Sequence, residues 1–213
     1  MTVDHISNYK KITTSKLSYR IFKRLFDILI CIVLLPFFLF ISCLLLLLNA
    51  FFNKGKIYFI QKRMGINCRP FNTIKFRTMT HVENIERKYC DPLEIERVTQ
   101  LGYLLRKTKI DELPQILNVL RGEMSLIGPR PDFYLHALSF LEHDPLYRYR
   151  HIVKPGISGL SQIRLGYAEG LHATKKKSKI DIFYIKNYSF KLDMQIFFAT
   201  ILLILNEFRG PNQ

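Results

Sequence analysis

The apolar run from Ile28 to Leu48 restricts this chain more than any other stretch, because it is long enough to cross a bilayer and is interrupted by one proline, Pro36. A proline inside a helix removes a backbone hydrogen bond and bends the axis, so a kinked transmembrane helix is the default expectation. The flanking charges oppose it. Lys10, Lys11, Lys16, Arg20, Lys23 and Arg24 precede the run, and Lys54, Lys56, Lys62 and Arg63 follow it, so the positive-inside tendency places both flanks on the cytoplasmic side. A re-entrant helix satisfies both the apolarity and the charge.

Other segments suit the same surface. Arg20, Lys23 and Arg24 alternate with Tyr19, Phe22 and Phe26, a pattern for lipid headgroups above an acyl layer. Asp27, at the mouth of the run, is expected to pair with Lys23 or Arg24 at helical spacing. Leu192 to Leu205 is apolar but short for a span, and Asp193 near its start suits an interfacial helix. The whole chain carries 32 basic against 17 acidic residues, a net +15, with 48% hydrophobic residues. An anionic membrane face accounts for both properties, whereas a nucleic-acid partner would account only for the charge. Cys31, Cys43, Cys68 and Cys90 have no CxxC spacing, which indicates a reduced, cytosol-facing protein. His81, His136 and His151 have no zinc-ligand spacing and read as structural or surface groups.

Beyond Gly55, IYFIQKRMGINCRPFNTIKFRTM alternates β-branched and aromatic residues with basic ones around Gly65, and predicts a hairpin or two short extended segments. Lys75 and Arg77 lie two apart and would share a strand face. The stretch from His81 to Gln100 is charged and uninformative. Leu101, Leu104 and Leu105 then predict an amphipathic helix that holds Arg106 near the adjacent carboxylates Asp111 and Glu112. Pro114 fits a first helical turn, so a helix is expected from about Asp111 to Arg121, with Gly122 as its stop. At that N-terminus Asp111 should be ionised, as a nucleophile or a metal ligand. Taken alone, an Asp-Glu before a Pro is more often a helix cap than chemistry.

Arg130 follows, held between Pro129 and Pro131, and Arg106 offers a second fork for phosphate oxygens. Asp132 to Arg150 is expected to be helical, with Phe133, Leu138, Leu141 and Leu146 as packing residues. Its Tyr147-Arg148-Tyr149-Arg150 end reads as packing plus an interfacial belt. Gly156 and Gly159 predict a flexible turn. The run of Lys175, Lys176, Lys177 and Lys179 predicts a solvated or membrane-facing surface.

The segment DELPQILNVLRGEMSLIGPRP, with KFRTM at Lys75 to Met79 before it and PGISGLSQI at Pro155 to Ile163 after it, resembles the monotopic polyprenyl-phosphate phosphoglycosyl transferases of the bacterial sugar transferase family, from about Lys23 to Leu203. The resemblance implies an α+β, mainly helical fold: a small globular cytosolic domain on a proline-broken re-entrant membrane helix, with interfacial amphipathic helices. Residues 1–18 would be a polar N-terminal segment, 19–52 the membrane helix-break-helix, and 53–213 the catalytic domain including the interfacial C-terminal helix. Family members often carry a Ser before the proline where this chain has Leu35. Many also have a Gly-Arg pair soon after Gln162, where this chain reads Arg164-Leu165-Gly166-Tyr167. The second departure bears on donor identity. Relatives can also carry an N-terminal four-helix membrane region, absent here, so the catalytic unit is expected to stand alone.

The implied reaction moves a phosphosugar from a UDP-sugar to a polyprenyl phosphate such as undecaprenyl phosphate, releases UMP, and opens glycoconjugate synthesis at the cytoplasmic face of the bacterial inner membrane. Asp111 would be the nucleophile of a covalent aspartyl-phosphosugar, and Glu112, with Asp111, would bind Mg²⁺ or Mn²⁺. Arg106, Arg130, Lys75, Arg77, Gln162, Asp181 and Tyr184 would contact substrate or phosphate. Asp181 and Tyr184, the late DxxY element, could instead pair with nearby Lys or Arg. Anionic lipids are expected partners, nucleic acid is not, and a homodimer stays open. Two competing readings are a non-catalytic basic membrane scaffold and a lipid diphosphate hydrolase.

Overall fold

A computed structural model describes residues 17–52, 55–80, 95–166 and 170–209. The first element, α1 (Leu17–Phe52), is assigned as one helix through Pro36. Lys23, Asp27, Cys31, Phe38, Ser42 and Leu45 are buried along it, at spacings of three, four or seven that place them on one stripe. The other faces leave Phe22, Leu25, Leu29, Val33, Phe40 and Leu47 exposed. Among the described residues, α1 is the single helix long and apolar enough to cross a membrane. Its buried stripe belongs to the main core, with Phe76, Leu105, Ile116, Val119, Ile127, Tyr184 and Ile196.

The expected hairpin forms from β1 (Tyr58–Met64) and β2 (Pro70–Phe76), antiparallel with Tyr58 opposite Phe76. Phe38 and Tyr58 both stack on Phe76, and the Tyr58 hydroxyl donates to Ser42 Oγ at 3.1 Å. The second half of α1 is thereby fixed to the hairpin. Its first half is fixed elsewhere. Lys23 Nζ donates to Asp193 Oδ2 at 2.6 Å, and Asp27 Oδ1 accepts from the Leu126 amide at 3.1 Å. Arg24 donates to the Val119 and Leu120 carbonyls at 2.6 and 2.9 Å. The expected pairing of Asp27 with Lys23 or Arg24 is thus replaced by tertiary partners for all three, because each side chain reaches a different buried group.

Next come α2 (Gln100–Lys107) and α3 (Gln115–Leu120), joined through a 3₁₀ turn at Ile110–Glu112. Thr99 Oγ1 caps α2 by accepting from the Gly102 amide at 3.0 Å. Gly102 is required for packing, since a Cβ there would lie 1.9 Å from the Thr78 carbonyl oxygen. The helix expected over Asp111 to Arg121 is therefore shorter and starts after Pro114, while Gly122 at φ +81 ends it as expected. Asn118, fully buried, ties α3 to β2 by accepting from the Ile74 amide at 3.1 Å and donating to the Asn72 carbonyl at 2.7 Å.

Strands β3 (Ser125–Ile127) and β4 (Gly156–Ser158) pair in parallel. Between them lie α4 (Tyr134–His143) and a 3₁₀ helix, Pro145–His151. The single helix expected from Asp132 to Arg150 is broken at Asp144-Pro145. After β4 come α5 (Leu160–Leu165), α6 (Gly170–Lys186) and α7 (Phe190–Arg209). Helix α7 exposes Phe198, Ile201, Leu202 and Leu205. Asp193 in its first turn is buried as the acceptor for Tyr19, Lys23 and Tyr184, so its position reflects a tertiary anchor rather than an interfacial one.

Candidate active site

The turn at Ile110–Glu112 follows Lys109, which holds a left-handed φ of 57. This sharp reversal, locked behind by α3 and Asn118, presents two neighbouring carboxylates in different surroundings. Glu112 is clasped: Lys75 Nζ reaches Oε1 at 2.5 Å, Arg130 Nη1 reaches Oε2 at 3.0 Å, and Arg130 Nη2 also bonds Oε1. Burial works to raise its pKa, but Arg130 and Lys75 outweigh burial and hold it well below the carboxylate range. Asp111 is buried too, yet its carboxylate makes no hydrogen bond or salt bridge among the described residues. Burial pushes its pKa up, offset in part by Lys75. The α-helix starts beyond Asp111, so the helix N-terminus expected at this carboxylate is not there. Neighbouring carboxylates driven apart in this way separate into an anchored anion and an unengaged one.

The structure brings only part of the expected set together. Lys75 and Arg130 meet Glu112 directly. Arg106 donates through Nε to Thr78 Oγ1 at 2.9 Å and acts on Asp111 through its charge. Arg77 does not share the site with Lys75, because β2 ends at Phe76 and its guanidinium turns towards Gly55. Gln162 donates to the Ile157 carbonyl at 3.3 Å, and its Oε1 is buried without a partner.

Asp181 stands one layer behind. It accepts from Arg150 Nε at 3.0 Å and Nη2 at 2.8 Å, the alternative in which this residue pairs with a nearby Arg. Arg150 in turn donates to the Arg130 carbonyl at 2.7 Å and pairs with Asp132. Lys177 reaches Asp132 at 2.5 Å, and the Tyr147 hydroxyl donates to the same carboxylate at 2.6 Å. Tyr184, one helical turn beyond Asp181, takes no bond in this network and donates to Asp193 Oδ1 at 2.7 Å.

Several expectations change here. Tyr147, Tyr149 and Arg150 are buried, so the packing half of that reading holds and the interfacial belt does not, while His151 is buried as a structural group with its pKa pushed down to about 3 by desolvation and Arg150. Lys177 is an ion-paired, largely buried cation, whereas Lys175, Lys176 and Lys179 are exposed as expected. Gly156 and Gly159 are not a flexible turn. A Cβ on them would lie 2.1 and 2.2 Å from the Gly128 backbone, so they allow β4 to press against the loop that carries Arg130. His81, Cys90, Lys54, Tyr167 and residues 1–16 fall outside the described residues. Arg63, Asn118, Asp132, Arg150 and Lys177 were not singled out by sequence reasoning. The position of Asp132 beside Pro131 was the one available signal.

Glu112 and Arg130 also border a cavity of about 670 Å³ whose walls include Arg63, Lys177, Gln162, Leu34, Phe37 and Leu203. Asp111 does not line it, although Ile110 and Glu112 do.

The bacterial sugar transferase family profile matches residues 18–207. The chain is 41% identical over 191 residues to a UDP-N-acetylgalactosamine-undecaprenyl-phosphate N-acetylgalactosaminephosphotransferase of Aeromonas hydrophila, covering 89% of this chain and 45% of that protein. It is 39% identical over 186 residues to a UDP-glucose:undecaprenyl-phosphate glucose-1-phosphate transferase of Klebsiella pneumoniae, covering 85% and 39%. It is 35% identical over 204 residues to the exopolysaccharide production protein PSS of Rhizobium leguminosarum bv. phaseoli, covering 89% and 98%. The chain thus spans less than half of the first two relatives and nearly all of the third.

Proposed function

The chain belongs to the bacterial sugar transferase family, and on that premise we propose that it transfers a sugar 1-phosphate from a UDP-sugar to undecaprenyl or another polyprenyl phosphate, releasing UMP. The observation that carries this reading is the asymmetric carboxylate pair, with Glu112 clasped by Lys75 and Arg130 and Asp111 unengaged beside it.

In the first step an Asp111 carboxylate oxygen bonds the sugar-linked phosphorus, and the diphosphate bond breaks with its electron pair leaving on UMP. In the second, an oxygen of the polyprenyl phosphate bonds that phosphorus and the aspartyl bond breaks, restoring the carboxylate. The product is a polyprenyl-diphosphate sugar. Arg130 and Arg106 offset charge as two anions are brought together. The donor set fits Mg²⁺ or Mn²⁺, since such ions are commonly held by one or two carboxylates together with substrate phosphates. Asp111 and Glu112 would hold the ion, which would add positive charge beside the transferred phosphoryl group.

Helix α1 is read as re-entrant. Its first half is fixed to α3, β3 and α7, and its second half to the hairpin, so both halves attach to one globular body. A spanning helix would carry its ends to opposite faces. Pro36 near its middle removes the hydrogen bond to the Ile32 carbonyl, which supports a bend at that point. The basic flanks support a cytoplasmic position for the body.

The test is UMP release by the purified chain in nanodiscs with Mg²⁺ and a panel of UDP-sugars. A burst stoichiometric with enzyme is expected without lipid, and continuous turnover with polyprenyl phosphate. Asp111→Asn should lose the burst and all phosphosugar labelling. Full labelling of that variant would overturn the nucleophile, and release of inorganic phosphate instead of UMP would favour the hydrolase.

A further inference from the structure

Among the described residues, Arg106 makes one hydrogen bond, from Nε to Thr78 Oγ1 at 2.9 Å, and has no carboxylate in contact, while its charge acts on Asp111. A guanidinium can offer a phosphate two forks: a side-on pair made of Nε and one terminal nitrogen, and an end-on pair made of both terminal nitrogens. With Nε taken by Thr78, the side-on fork is closed and the end-on fork stays open. The acceptor is also neutral. Glu112 orients Arg130 and cancels its charge together, whereas a hydroxyl orients Arg106 and leaves its charge available to an anion.

Thr78 is itself firmly held. It is buried, two residues past the end of β2, and its segment is laced to the chain that leads into α2. The Thr78 carbonyl accepts from the Thr99 amide at 3.1 Å, Met79 and Val98 form an antiparallel bridge, and the Thr80 amide donates to the Arg97 carbonyl at 2.9 Å. Side chains on a helix lean towards its N-terminus, so Arg106 in the last turn of α2 leans back over position 102, one turn earlier. That position is Gly102, where a Cβ would lie 1.9 Å from the Thr78 carbonyl oxygen. The missing side chain lets the Thr78 backbone rest on α2 in the path of Arg106, so packing brings the two partners together. Arg106 is half-buried and could give Nε to water, which makes satisfying that donor too small a task for such a device.

We infer that Thr78 is a positioning residue for phosphoryl transfer: its hydroxyl holds Arg106 by Nε and turns the end-on pair of terminal nitrogens to the phosphate that Asp111 attacks. The inference rests on the transferase reading above. It gives Thr78 a task that acts wholly through Arg106, and it gives Gly102 the task of seating Thr78.

The test uses the full chain in nanodiscs with Mg²⁺ and a UDP-sugar, and compares Thr78→Val, which keeps the shape and removes the acceptor, with Thr78→Ser, which keeps the acceptor. The rate constant of the UMP burst should fall about tenfold in Thr78→Val and stay within about twofold of wild type in Thr78→Ser, because a small misplacement of a positioned group is costly in rate. In an Arg106→Met background, which has no Nε to hold, Thr78→Val should change the burst by less than about twofold. A residue that merely supports the fold would slow the burst by the same factor in both backgrounds, and that result would overturn the inference, as would a wild-type rate in Thr78→Val. A second measurement reads the contact without the reaction. Solvent exchange of the ¹⁵N-labelled Arg106 Nε–H should be slow in wild type and Thr78→Ser and about tenfold faster or more in Thr78→Val. UMP release by a wild-type chain whose Nε–H exchanges fast would overturn the role of Thr78 alone. A wild-type chain that releases no UMP from any donor would overturn the transferase reading and this role with it.

Discussion

Two charged clusters lie on either side of Arg130, and they are built to different rules. In the cluster around Glu112, one carboxylate holds two cations while its neighbour Asp111 holds none. In the cluster around Arg150, the guanidinium engages Asp132, Asp181, the Tyr147 hydroxyl and the Arg130 carbonyl, and Lys177 adds a further bond to Asp132. The Arg150 side chain is fully buried and Asp181 nearly so, while Asp132 and Lys177, like Lys75, Glu112 and Arg130, keep 12–19% of their side-chain surface exposed. A closed network of this kind fixes geometry, and an open one with an unengaged carboxylate leaves a group free to react. Arg130 belongs to both, since its guanidinium faces the open cluster while its carbonyl is held by the closed one.

The largest expected effect on stability comes from breaking the closed side. Arg150→Met strands Asp181 in the interior and leaves Asp132 to Lys177 and Tyr147, and removing one partner of a buried pair costs about 3–5 kcal/mol. Denaturant unfolding in detergent should show that loss, while Asp111→Asn should shift stability by less than about 1 kcal/mol because no cation contacts the carboxylate it removes. Comparable losses in the two variants would erase the distinction. The next effect is on rate. Glu112→Gln leaves Lys75 and Arg130 facing each other without their shared anion, so kcat/KM should fall by about 10²–10³, on the scale of removing one preorganised charge contact. The Mg²⁺ concentration for half-maximal rate should rise in the same variant, and an unchanged metal titration would remove Glu112 from the ion's ligands.

The division also explains what could be read in the sequence. The hairpin around Gly65, the presence of α2, the stop at Gly122 and the apolar faces of α1 and α7 follow from local rules of turn chemistry and periodicity, so they were legible. Glu112 and Arg130 were legible because their motifs are contiguous. The closed cluster was not, since Asp132, Arg150, Lys177 and Asp181 come from a loop, a 3₁₀ helix and α6, and only tertiary packing joins them. Local appearance was misleading there. Tyr147 to Arg150 has the composition of an interfacial belt, and Lys177 sits in a run whose other lysines are exposed. Arg77 fails for a smaller reason, one residue past the strand end, where alternation no longer sets its direction.

The smallest expected effect is a titration that only the open side can produce. Burial lowers the Lys75 pKa to about 8, against the pull of Glu112. In the closed cluster, Asp132 is held well below the carboxylate range and Tyr147 is raised well above the usual phenol range. Lys75 is protonated in the fold below about pH 8 and neutral above it, so its grip on Glu112 weakens as pH rises. Activity should therefore show an alkaline limb near pH 8. Stability should move the other way: between about 8 and 10.5 the unfolded chain keeps the Lys75 proton and the folded chain has lost it, so this group's contribution favours the fold increasingly with pH. Lys75→Arg keeps its charge throughout that window and should abolish the limb even where it lowers the rate. A limb that stays near pH 8 in that variant would assign the titration to another group and make Lys75 a structural partner of Glu112 alone.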